Sequence, residues 1–331
     1  MRRGNHAIRR TGGLLLAGLA AAMLAGQAAA QAFPSQPVRV LVPFAAGNVL
    51  ESSLRAVGER FRESTGQPLL VEARPGGGGI VAAQALQAAR ADGHTALLAT
   101  QAILAVNPHI YRTLPYDPQR DFAPVGELFN SPFALTVHPG VPAANVAEFI
   151  AWVKANPGKV SYGSIAPGTP SHFLGVLINL EYGTDLTHVP YKGSPTMLPD
   201  LLAGRVQAGF LSLDTIRTQV ESGKLRALAV TGADRSGLLP ATPTMAESGY
   251  PRMQAYAWSG IVVPRATPDA VVRRLHAEFA RATAIPEVRA ELRKLGMDPV
   301  AGTPEEFAAR IRSESERWAR VVKSSGFSAE N

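Results

Sequence analysis

Short β-rich runs alternate with helical patterns along most of the chain, and this alternation restricts the fold more than any other feature. Residues 38–42, 69–71 and 96–99 read as strands. Leu50, Leu54, Val57 and Phe61 fall at helical spacing after the first, and 82–89 fills the next interval as a helix. Strands joined through a helix run parallel by a right-handed crossover, so a parallel sheet covered by helices follows. A second series repeats the grammar, with strands at 133–137, 160–162, 186–189, 206–210 and 225–230, and helices at 146–154 and after His172. Asn145 and Glu148 suit a capping pair at the front of the first of these helices. After Gly249-Tyr250-Pro251 comes a strand at 259–263, then two long helices opened by Thr267-Pro268 and Thr303-Pro304-Glu305-Glu306. Each reads as a threonine N-cap with proline at the first helical position. The last helix carries Phe307, Ile311, Trp318 and Val322 on one stripe. Two α/β series and a terminal segment that continues neither predict an α/β protein of two doubly wound lobes joined by two crossover strands, with a ligand cleft between the lobes. The first lobe is expected to be discontinuous, 33–135 plus 258–331, and the second to span 136–257.

The N-terminus predicts where such a protein resides. Arg2, Arg3, Arg9 and Arg10 precede an apolar run over 14–24 that ends in Ala28-Ala29-Ala30, the layout of an export signal peptide (1–30). That run is too short to span a bilayer, and Gln27 stands where a lipoprotein would need cysteine. Arg9-Arg10 also leaves the twin-arginine route open. The chain is therefore expected in the periplasm. It has 33 basic and 26 acidic residues. Losing four arginines with the signal shrinks the basic excess, which removes the main electrostatic case for nucleic acid. With no cysteine, neither a disulfide framework nor a thiolate metal site can form. The seven histidines never pair at metal spacing and no Gly-x-Ser-x-Gly elbow occurs, so neither metal, cofactor nor catalysis is expected.

Binding chemistry concentrates at strand-to-helix turns. Pro43-Phe44-Ala45-Ala46-Gly47-Asn48-Val49-Leu50-Glu51 leads from a strand end into a helix, where open α/β sheets bind ligands. Amides at the helix start and the positive end of its dipole suit a carboxylate. In the alternative reading Asn48 caps the helix and Glu51 completes a capping box. Arg74-Pro75-Gly76-Gly77-Gly78-Gly79 lacks both the ending of a P-loop and the third spaced glycine of a dinucleotide site. It reads as a tight turn on which the first loop packs. Ser164-Ile165-Ala166-Pro167-Gly168-Thr169-Pro170-Ser171-His172 is the matching turn of the second series. Its hydroxyls and the backbone at Gly168 and Thr169 suit the same anion, although Thr169 also serves as an N-cap. His172, in a first helical turn, reads as a packing or positioning residue. The first-lobe candidates are thus Phe44, Ala45, Ala46, Gly47, Asn48 and Glu51, with Gly78 and Thr100. The second-lobe candidates are Ser164, Gly168, Thr169, Pro170, Ser171 and His172, with Ser212.

Seven blocks in order resemble the Bug-type solute receptors of tripartite tricarboxylate transporters: Pro43-Phe44-Ala45-Ala46-Gly47, Arg74-Pro75-Gly76 with Gly78-Gly79, and Asn107-Pro108 with Leu114-Pro115-Tyr116-Asp117-Pro118 and Asp121-Phe122-Ala123-Pro124-Val125, then Gly168-Thr169 with His172, Val189-Pro190-Tyr191-Lys192-Gly193, Gly223-Lys224-Leu225-Arg226-Ala227-Leu228, and Pro243-Thr244 with Glu247-Ser248-Gly249. The resemblance implies two lobes of the type II periplasmic binding protein kind. It also implies a carboxylated metabolite held between loops of both lobes, and delivery to integral membrane transporter subunits by a monomeric receptor. Asn48 stands where the family usually has a second glycine, Glu51 where aspartate is common, and Leu50 where a small or polar residue is. Ile165, Ala166 and Pro167 replace small polar residues and glycine, and Leu211-Ser212 replaces an Asp-Asn pair. These exchanges make the site less polar and predict an aromatic or short aliphatic monocarboxylate rather than citrate. A sensor that presents the bound acid to a membrane signalling kinase shares every one of these features, whereas a periplasmic enzyme ranks below it because its site would have no recognisable nucleophile or metal.

Overall fold

The computed structural model describes residues 33–329. The expected signal segment lies outside them. Among the described residues no helix is long and apolar enough to cross a membrane.

The first half is a βα series: β1 (Val38–Val42), α1 (Val49–Thr65), β2 (Leu69–Ala73), α2 (Ile80–Gln87) and β3 (Thr95–Thr100). β1 pairs in parallel with both β2 and β3, as the helical crossovers require. The second half holds β5 (Ser161–Ser164), α6 (Pro170–Tyr182), β6 (Thr187–Pro190), α7 (Ser194–Leu202), β7 (Ala208–Ser212), α8 (Leu213–Glu221) and β8 (Arg226–Val230). β5 is parallel to both β6 and β7. Short helices α3 (Asn107–Ile110) and α4 (Pro118–Asp121) and the helix α5 (Val146–Ala155) flank a strand that belongs to both halves.

That strand, β4 (Phe122–Val137), is 16 residues long. Phe122–Pro132 lies against β9 (Tyr256–Pro264), whereas Phe133–Val137 lies against β7 and β8. The return crossing is made at β9. Ala255 N–H donates to Thr231 O in the second half (3.0 Å), and four residues later Ser259 pairs with Thr100 of β3. Two lobes joined by two crossover strands follow, with the sheet order β2-β1-β3-β9-β4-β7-β5-β6.

The terminal segment returns to the first half as α9 (Asp269–Ala284), α10 (Pro286–Lys294), the short β10 (Asp298–Pro299) and α11 (Pro304–Ser325). Thr303 and Glu306 form the reciprocal capping box expected of α11, with Thr303 N–H donating to Glu306 (2.7 Å). Thr267 does not cap α9. The cap position is Pro268, and the Thr267 hydroxyl is buried without a partner. α11 reaches both lobes. Trp258 of β9 meets Phe307 edge-on at 5.6 Å, and Trp318 lies 5.7 Å from Phe173 of α6. Phe307, Ile311, Trp318 and Val322 are all buried in one apolar cluster that runs from β3 into the second half. Replacing a fully enclosed tryptophan such as Trp318 by alanine costs about 3–5 kcal/mol.

Candidate functional site

The first-lobe loop is open and held by its own side chains. Asn48 caps α1, its Oδ1 accepting from Glu51 N–H (3.0 Å) and its Nδ2 donating to Ala45 O (2.7 Å). Glu51 folds back so that its carboxylate accepts from Gly47 N–H (2.7 Å) and pairs with Arg55 one turn on (2.6 Å). The Arg55 guanidinium, followed by the Gly47 amide, holds the Glu51 carboxyl below its ordinary range. The helix start thus already carries one carboxylate, bound as an external anion would be. Phe44, Ala45, Ala46 and Gly47 are exposed, Phe44 at 45%. Among the described residues, no protein acceptor takes the amides of Ala45, Ala46, Asn48 or Val49.

The second-lobe loop is the reverse: Ser164, Gly168 and Pro170 to His172 are buried, only Pro167 is exposed, and its polar side chains are satisfied within the lobe. Ser164 is fully enclosed, its hydroxyl 2.7 Å from His188 Nε2 and 3.2 Å from Ala166 O. Ser171, at the first turn of α6, donates to Phe210 O (2.9 Å) and accepts from Ile165 N–H (3.1 Å). Thr169 donates to Ala166 O (2.6 Å) rather than capping α6 through its side chain. Gly168 N–H donates to His172 Nδ1 (3.2 Å), which makes that nitrogen an unprotonated acceptor. His172 stacks on His188 at 3.9 Å. Desolvation and the neighbouring imidazole push His172 down to about 3, and desolvation pushes His188 down to about 4, so both are neutral near pH 7. What remains is the helix start itself: no protein acceptor among the described residues takes Thr169 or Ser171 N–H.

Contacts join the two loops into one locality. A methyl group on Gly79 would lie 2.6 Å from Ile103 and 3.4 Å from Pro43, so the glycine-rich turn lies against Ile103 and the start of the first loop. Gly78 O accepts from Asn107 Nδ2 (3.1 Å), and the same turn abuts the Tyr111 hydroxyl. Tyr111 follows Ile110, whose Cδ1 would come within 2.8 Å of a methyl on Gly168 in the other lobe. Thr100 closes β3 beside this cluster, its hydroxyl weakly accepting from Ile103 N–H (3.5 Å). Pro170 opens α6, and Ser212 at the end of β7 hydrogen bonds Ser194 and Thr215 (3.0 and 3.2 Å). Sequence reasoning missed three residues of this rim: Ile110, Tyr111 and Phe327. The Phe327 ring meets His172 edge-on at 4.9 Å, while Ala329 N–H donates to Ile110 O (2.8 Å). Only the placement of an aromatic within the polar run Ser324-Ser325-Gly326-Phe327-Ser328 hinted at it.

This arrangement has main-chain donors at two helix starts and side chains that satisfy one another. It can hold an anion; its one hydroxyl beside an imidazole, Ser164 with His188, is fully enclosed, and no group of metal-ligating side chains occurs among the described residues. Comparison with known proteins agrees. The profile described as "Tripartite tricarboxylate transporter family receptor" matches residues 53–327. The Rhodopseudomonas palustris protein Rpa4515, solved with adipate, is 34% identical, superposes with a TM-score of 0.78, and the match covers 89% of this chain and 99% of that one. The periplasmic binding protein BugD is 30% identical with a TM-score of 0.74, over 90% of this chain and all of that one. MatC from Rhodopseudomonas palustris, solved with malate, is 29% identical with a TM-score of 0.73, over 88% and 100%. With its two lobes, its paired helix starts and a profile match along most of its length, the chain belongs to the Bug-type receptors of the tripartite tricarboxylate transporter family, which are solute-binding proteins and not enzymes.

Proposed function

We propose that the chain is exported, cleaved after Ala30, and acts in the periplasm as a monomeric receptor. It captures a small organic acid, aromatic or short aliphatic, and delivers it to the membrane subunits of a tripartite transporter. The lobes are 33–135 with 258–331, and 136–257, and the acid lies between Phe44–Asn48, Gly78 and Thr100 on one side and Ser164–His172 with Ser212 on the other.

The neighbours solved with adipate and malate support an organic acid as the ligand class. The observation that carries the narrower reading is the Glu51 carboxylate seated on Gly47 N–H. A ligand carboxylate placed at the same helix start would meet that charge, so an acid with a single carboxylate is favoured, gripped by the free amides at the start of α6. Ile165 and Ala166, both half-buried, give its body apolar surroundings. Thermal melting against benzoate, hexanoate, adipate, malate and citrate tests this, since a bound acid raises Tm by mass action. A monocarboxylate should give the largest rise. Tight binding of citrate with no response to monocarboxylates would overturn the proposal.

A further inference from the structure

A second concave surface lies away from the site loops, between the C-terminal half of α6 and the exposed side of α11. It is a groove of about 950 Å³. Its rim carries four arginines: Arg252 ahead of β9, and Arg310, Arg317 and Arg320 on α11. Its wall is apolar, with Leu177 and Leu180 of α6 facing it and Leu180 49% exposed.

The charges within it do not cancel. Arg252 pairs with Glu181 (2.6 Å), and Arg310 is committed to the buried Glu127 and lies over the rings of Tyr256 and Trp258. Arg317 lies 3.6 Å from Glu314 and donates to Arg252 O (3.1 Å). Arg320 is exposed and has no ion-pair partner among the described residues. Glu314 is itself engaged by Trp318 Nε1 (2.9 Å) and Gln101. An oriented row of guanidinium groups beside an apolar wall, left with net positive charge, complements an extended acidic segment that carries one or two apolar side chains.

We propose that this groove docks an acidic segment of the protein partner that receives the ligand. The proposal rests on the receptor reading above. One wall, α6, begins at the second-lobe loop and ends at the groove, while the other, α11, packs on β9 through Phe307 and Trp258 and on α6 through Trp318 and Phe173, so a partner seated there touches elements of both lobes.

The test uses the mature protein and a fluorescent peptide of six glutamates and one leucine, followed by anisotropy at low and at 150 mM salt. The wild-type protein should bind it, more weakly at high salt. Arg320→Glu should weaken it at least fivefold, and Arg252→Glu/Arg320→Glu further, while Arg60→Glu on α1 leaves it unchanged and a hexalysine peptide does not bind. Citrate in equal charge should fail to displace the peptide. No binding, an equal loss from Arg60→Glu, or displacement by citrate would overturn the proposal. Melting of the same variants with the acid separates the two readings. An acid-induced Tm rise in the wild-type protein that binds no peptide sinks only the groove, whereas no rise with any acid sinks the receptor reading.

Discussion

The two loops that meet at the site are built on opposite principles. Around Gly47 the chain is exposed, a methyl group there would meet nothing within 4 Å, and an ion pair, Glu51 with Arg55, holds the turn. Around Gly168 the chain is buried, a methyl group would run into Ile110 of the other lobe, and neutral imidazoles and enclosed hydroxyls hold the turn. The difference teaches how one site can combine grip with choice. The second-lobe turn is a rigid platform whose side chains are spent on one another and whose helix-start amides are thereby aimed. The first-lobe turn is open and carries the Glu51 charge, which under the proposed function sets what the platform accepts.

Lowering the pH should break the platform first. His172 and His188 have their values pushed down from 6.5 to about 3 and about 4. Their neutral-state contribution is therefore complete above pH 6.5 and is lost as pH falls toward 4. Each imidazole costs up to about 1.4 kcal/mol per pH unit in that window. Chemical denaturation at pH 7, 6, 5 and 4 measures it, and His188→Gln should flatten the slope. An unchanged slope in that variant contradicts the account.

The glycine pair sharpens the contrast directly. Both positions have positive φ, +83° at Gly47 and +73° at Gly168, so alanine strains either backbone by about 1 kcal/mol. Only Gly168→Ala adds the clash with Ile110, for a total of about 3 kcal/mol, together with at least tenfold weaker acid binding. Equal effects in denaturation and calorimetry would remove the distinction between the loops. Ser171→Ala comes next. It strands Ile165 N–H and Phe210 O and should cost about 2 kcal/mol. Glu51→Gln has the smallest effect on Tm but moves selectivity. Affinity for adipate or malate should rise about fivefold, the order of one unit-charge interaction across water, with benzoate nearly unchanged.

Much of this was legible in the sequence because local rules and the fold agree. Asn48, Asn145 and Thr303 each cap the helix that their spacing to Glu51, Glu148 and Glu306 announces. The length of β4 was not legible. Pro124, Gly126 and Pro132 interrupt its pattern, and the pairing survives through register shifts between Pro124 and Gly126 and between Glu127 and Phe129. The cap at Thr267 failed because Pro268 takes the cap position itself. In the site, glycine-rich turns marked both loops, but nothing in the residue order tells that Ser164, Ser171 and Thr169 bond within their own lobe. That outcome depends on His188, Phe210 and Ala166, two of which come from other strands. Phe327 entered the rim only because α11 lies across both lobes.

Amide hydrogen exchange, with and without a saturating concentration of the monocarboxylate that raises Tm most, tests the central claim of a two-lobe grip most directly. The account predicts slowed exchange in 44–51 and 164–172 together, strongest at Thr169 and Ser171. Protection confined to one of these loops, or to neither, would contradict it.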